Sequence, residues 1–229
     1  MSAALARAGA EIGGRKGTFL AVLVGVVALY YASLFGAMLV RFGQVPNYVT
    51  VYDWPANVWH VFASTPSLVD AFAIARQEWL IEIGFMNYSF GHGIAEWNVT
   101  VGPARLAMVL LAGLLVSACA VQTFPGSRAA CSAPARRAAL AAAGGGAFLV
   151  GLANATLHWV VACATPTWTA TLAMLGMTPA MALWLEPLDA PMIGAGYALL
   201  AGAVLLPAYR RGAAERTGVR LNPPLYSRG

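Results

Sequence analysis

Three histidines are the only imidazoles in this chain of 229 residues: His60, His92 and His158. Two of them fall in a stretch that also carries Glu78, Glu82 and Glu96. On a helix Glu78 and Glu82 are one turn apart, and Glu96 follows His92 at the same spacing, so each pair projects to one face. Mixed imidazole and carboxylate donors suit zinc, copper, iron or manganese. His60, His92, Glu78, Glu82 and Glu96 are therefore the candidate metal ligands. The plainer reading is that glutamates on an exposed helix form a solvated face.

His158 has a different setting. It lies in a long uncharged run, four residues after Asn154, so on a continuous helix the two side chains point the same way. Gly144, Gly145, Gly146, Gly151 and Ala155 thin that helix enough for a flat macrocycle or a second helix to approach closely. An ionisable group within a span is costly and usually marks function. His158 and Asn154 are thus the candidates for holding a haem or chlorophyll-type pigment. Against this, no other span offers a second axial histidine, and the pair can simply hydrogen-bond inside a helix bundle.

Other chemistry is sparse. There is no phosphate loop, dinucleotide fingerprint or His-Glu-x-x-His motif, and no set of catalytic residues can be read. Cys119, Cys131 and Cys163 form no Cys-x-x-Cys pair and read as small packing residues. Met174, Met177 and Met181 recur at steps of three and four, a spacing open to Cu(I) but more typical of packing.

The elements that must position these residues follow from composition. With 59% hydrophobic and 10% charged residues, the chain is too apolar to cover itself in water. This excludes a water-soluble enzyme, a disordered protein and a disulfide-stapled module. The expectation is an all-α integral membrane protein with four transmembrane helices, over 18–40, 104–123, 138–165 and 190–209, each near the ~20 residues a span needs. Residues 41–103 form an extracytoplasmic loop. Ser67-x-x-Asp70 opens an amphipathic helix there over about 67–86, with Leu68, Phe72, Ala75, Trp79, Ile83 and Met86 on its apolar face. Residues 166–189 hold too many prolines for a fifth span and read as a short interfacial helix or re-entrant loop.

Eleven of the fourteen basic residues fall in the segments 1–17, 124–137 and 210–229. The positive-inside rule makes these the cytoplasmic tails and loop, with both termini inside. The net charge of +5 is thus a consequence of topology, not a nucleic-acid footprint. Thirteen arginines against one lysine, with abundant alanine and glycine, point to a GC-rich bacterial genome and so to the inner membrane. Arg41 and Arg105, at the outer ends of spans one and two, are expected to pair with acids of the loop.

Three functional classes remain. The first is a non-catalytic or accessory subunit of a larger respiratory, photosynthetic or oxygenase-type complex, packing against other membrane subunits and lipids through small-residue faces and the aromatic outer loop. The second is a membrane metalloenzyme or metal-binding protein using the outer His/Glu set. The third is an oligomeric transporter, since one chain offers few polar groups at the midplane.

Overall fold

The computed structural model describes residues 9–10, 12–90, 93–123, 133–155, 157–159, 178, 180, 184 and 186–216. It is mostly helical and carries a small antiparallel sheet. Helix α1 (Lys16–Phe42) leads into β1 (Tyr48–Val51). Two short helices, α2 (Trp54–Ser64) and α3 (Leu68–Ala75), precede β2 (Ile81–Asn87) and β3 (Ile94–Val101). Then come α4 (Pro103–Thr123), α5 (Ala133–Ala153), β4 (Leu157–Trp159) and α6 (Asp189–Arg216).

Among the described residues, three helices are long and apolar enough to cross a membrane: Lys16–Phe42, Pro103–Thr123 and, within α6, Asp189–Leu206. Helix α5 matches α4 in length, but Arg136, Arg137 and three consecutive glycines dilute its apolar character. It nevertheless packs tightly. A Cβ on Gly146 would lie 2.6 Å from the Gly196 carbonyl oxygen, and one on Gly196 would lie 2.9 Å from that of Gly146. Only residues without side chains let two helix backbones meet so closely. Around this contact Ala139, Ala143, Val150, Leu200, Ala203 and Val204 form the bundle core. Along α1, by contrast, Val24, Leu29 and Val40 are exposed, as lipid-facing residues are.

The sheet has the order β1-β2-β3-β4, with all neighbours antiparallel. Its strands alternate. Trp97 and Val99 are buried among Leu34, Met38, Phe35 and Phe42 of α1, with Phe42 stacked on Trp97 at 6.3 Å. Asn98 and Thr100 take the other face. Gly43, left-handed at φ 66°, ends α1 by donating to the Leu39 carbonyl at 2.8 Å, which turns the chain from the long helix into the sheet.

The sheet narrows the all-α expectation to a mostly helical chain. Residues 81–87 and 94–101 have a repeat of two, whereas the sequence reading followed a helical repeat through 67–86. That helix is real only from Leu68 to Ala75, where Ser67 accepts from the Asp70 amide at 3.3 Å. Beyond it, Ile81, Ile83 and Phe85 alternate with Glu82 and Gly84, and cross-strand pairing decides the conformation. The helix expected over 138–165 has other bounds. Helix α5 ends at Ala153, and the uncharged run continues as β4, paired to β3. Hydropathy alone does not distinguish an apolar strand from the end of an apolar helix. Helix α6 runs on to Arg216, past the boundary expected at 209. Most of 166–189, including Met174, Met177 and Met181, lies outside the described residues, as do Cys131 and Cys163.

Candidate functional site

The polar face of the sheet gathers the most concentrated side-chain chemistry among the described residues. Register places Thr50 and Thr100 on either side of Glu82, and Tyr48 and Asn98 on either side of Gly84. Glu82 is only 8% exposed. Its Oε1 accepts from the Tyr48 hydroxyl at 2.6 Å and from Asn98 Nδ2 at 2.7 Å, and its Oε2 accepts a short bond from the Tyr52 hydroxyl. A buried carboxylate needs such donors, because desolvation without them is very costly.

Gly84 makes the arrangement possible. A Cβ there would lie 2.7 Å from Asn98 Cβ and 2.3 Å from the Trp97 carbonyl oxygen. With no side chain opposite it, Asn98 has room to lean along the sheet to Glu82. Asn47 ties the entry of β1 to the β2 edge: its Nδ2 donates to the Met86 carbonyl at 2.9 Å and its Oδ1 accepts from the Met86 amide at 2.7 Å. There the register shifts between Phe85 and Met86, and Glu96 is the extra residue on β3.

The electrostatics are consistent with this geometry. Burial raises the Tyr52 phenol to about 12, helped by its hydrogen bond to Glu82 and the carboxylate's charge. Burial likewise pushes Tyr48 well above the usual phenol range, again reinforced by Glu82. Both phenols stay protonated as donors. The Asn98 amide uses only its nitrogen; its Oδ1 is buried with no hydrogen-bond partner.

The residues singled out from sequence fare differently. Glu82 is at the centre of the network, but Glu78 is not one helical turn from it, because the helix ends at Ala75, Glu78 lies in the loop that follows and Glu82 lies within β2. His60 is exposed on α2. Glu96 is half-buried and accepts from Asn87 Nδ2 at 3.5 Å. His92 lies outside the described residues. Among the described residues, no three His, Cys, Asp or Glu side chains come together to hold a metal.

His158 and Asn154 do not share a helix face. His158 is a β4 residue registered opposite Asn98, with only its backbone described. Asn154 is fully buried at the end of α5 and acts as a structural clasp. Its Nδ2 donates to the Arg105 carbonyl at 3.0 Å, and its Oδ1 accepts from Arg105 Nη1 at 3.5 Å. Arg105 also donates to the Ala153 carbonyl at 3.2 Å, and Tyr30 donates to the Asn154 carbonyl at 2.8 Å. Arg105 therefore serves the open carbonyls of a helix end, not the loop acids expected from sequence. Cys119 is a buried thiol at 3.8 Å from the Ala139 carbonyl.

Sequence reasoning missed Tyr48, Tyr52 and Asn98. The available signal was the alternation in Tyr48-x-Thr50-x-Tyr52, Glu82-x-Gly84 and Asn98-x-Thr100, which puts all the polar positions on one face. The chain matches no family model, no curated protein and no solved structure.

Proposed function

We propose that the chain is a non-catalytic subunit of a larger bacterial inner-membrane complex, spanning the bilayer four times with both termini in the cytoplasm. The sheet and the helices α2 and α3 form its extracytoplasmic cap. Supporting the fourth span is the backbone-close pairing of α5 with α6. Supporting the orientation is the basic bias of the segments away from the cap, including Arg15, Lys16, Arg136, Arg137, Arg210 and Arg211.

One observation carries the subunit reading: α2 and α3 leave large apolar side chains uncovered outside the spans. Trp59 is 78% exposed and Val69 79%, and Leu68 and Phe72 are exposed beside them. Phe62 packs edge-on against Phe72 at 5.0 Å and fixes the two helices to each other. A contiguous apolar patch outside the membrane core marks a contact surface, and the partner that fits it is an apolar face of another membrane subunit.

The test is site-specific photo-crosslinking in native membranes from Trp59 and Val69, with exposed Gln77 as the control. A discrete adduct with one membrane protein from the first two positions, absent from Gln77, is the expected result. Adducts with lipid alone, together with a monomeric mass in mild detergent, would overturn the subunit reading. Cysteine accessibility at both termini tests the orientation.

A further inference from the structure

Among the described side chains, the sheet's polar face has a negative charge without a positive one. All three donors to Glu82 (Tyr48, Tyr52 and Asn98) are neutral. A buried charge left uncompensated is strongly destabilising. A carboxylate offers about four lone-pair positions, and the three donors fill three. The amide that reaches Glu82 also presents a second acceptor, Asn98 Oδ1, buried with no partner in a residue that is 92% removed from solvent. Among the described side chains, an acceptor without a donor beside a carboxylate without a cation describes a place for positive charge.

We propose that Glu82 and Asn98 Oδ1, with the lone pairs of the Tyr48 and Tyr52 hydroxyls, bind a single hard cation on the polar face of the sheet. The donor set is all oxygen, which suits alkali and alkaline-earth ions and disfavours copper or zinc. One carboxylate supplies one negative charge, so the match is to a monovalent ion, sodium being the small, abundant one. Divalent ions usually require more carboxylate charge for tight binding. Binding here is separate from docking through α2 and α3 and uses none of the residues of that surface.

The test uses the full purified chain in detergent at constant ionic strength, with sodium chloride replaced stepwise by choline chloride. The readouts are the thermal midpoint and tryptophan fluorescence, since Trp79 packs edge-on against Tyr52 at 5.9 Å. Sodium should raise the midpoint saturably by a few degrees over choline, with no such rise in Glu82→Gln. Asn98→Asp adds a second carboxylate and should bring in a calcium response at concentrations about tenfold lower than any in the parent chain. It also keeps the test decisive if Glu82→Gln fails to fold. Equal midpoints in sodium and choline, a sodium effect that survives Glu82→Gln, a response to zinc alone, or no calcium response in Asn98→Asp would each overturn the site.

Discussion

Two buried asparagines, Asn154 at the end of α5 and Asn98 in β3, show how the same side chain serves different ends. Asn154 spends both ends of its amide on Arg105, and the surrounding bonds satisfy carbonyls at a helix terminus. Asn98 spends one end on a carboxylate and leaves the other unmatched. The first network is complete and purely architectural: it clamps α5 against α4 and α1 where the helix stops. The second is organised around a charge and is incomplete. Saturation of hydrogen bonds, more than burial or residue type, separates the scaffold from the site.

The contrast breaks most visibly at Asn154. Asn154→Ala removes both amide bonds, leaving the Arg105 carbonyl its intrahelical partner alone and the guanidinium its bond to the Ala153 carbonyl. At ~0.5–1.5 kcal/mol for the neutral bond and ~1.5–3 kcal/mol for the one from a charged donor, the expected loss is about 2–4 kcal/mol. Thermal unfolding in detergent should register it, with no change in any cation response. A loss below ~0.5 kcal/mol would mean that the clasp is not structural, and the distinction between the two networks would fail.

Gly84→Ala attacks the second network through its geometry. The new Cβ meets the Trp97 carbonyl, which is backbone and yields only if β2 and β3 separate. Overpacking of this kind costs about 1–3 kcal/mol. The change should also displace Asn98 from Glu82, so the sodium response should disappear along with the stability. Gly146→Ala, which presses on the Gly196 carbonyl in the bundle, should cost a similar amount and leave the sodium response intact. The pair therefore separates damage to the scaffold from damage to the site at matched destabilisation.

Three helices long and apolar enough to cross a membrane are legible in the sequence because lipid imposes one strong requirement, a long apolar run, and composition reports it directly. The cap is not. Leu68, Phe72 and Ala75 do form a helix, and Trp79, Ile83 and Met86 extend its arithmetic by coincidence, although cross-strand partners make that stretch a β-hairpin. Residues 94–101 alternate plainly, but nothing in that segment alone names the strand it pairs with. Glu82 stands out in the sequence as a carboxylate, but its neighbours do not, since Tyr48 and Tyr52 lie 34 and 30 residues away and meet it only through strand pairing. His158 was placed on a helix face by spacing alone, and the end of α5 at Ala153 removes that face.

The smallest effect concerns protons. Tyr52 is raised to about 12 by burial and by Glu82, whereas a tyrosine in the unfolded chain titrates near ~10. The folded sheet therefore holds a phenolic proton that the unfolded chain releases. Stability from this source is complete below pH ~10 and declines as pH rises towards about 12, the direction required when the native state binds more protons than the unfolded one. Tyrosinate absorbance should show a late component at about 12, separate from that of Tyr48, and Tyr52→Phe removes it. In Glu82→Gln, which takes away the charge, the same component should move down towards ~10. The Arg105–Asn154 network contains no carboxylate, so Asn154→Ala should leave the late component where it is. A Tyr52 component already near 10 in the parent chain would mean that the hydroxyl does not donate to Glu82, and the charge-centred network would lose one of its three donors.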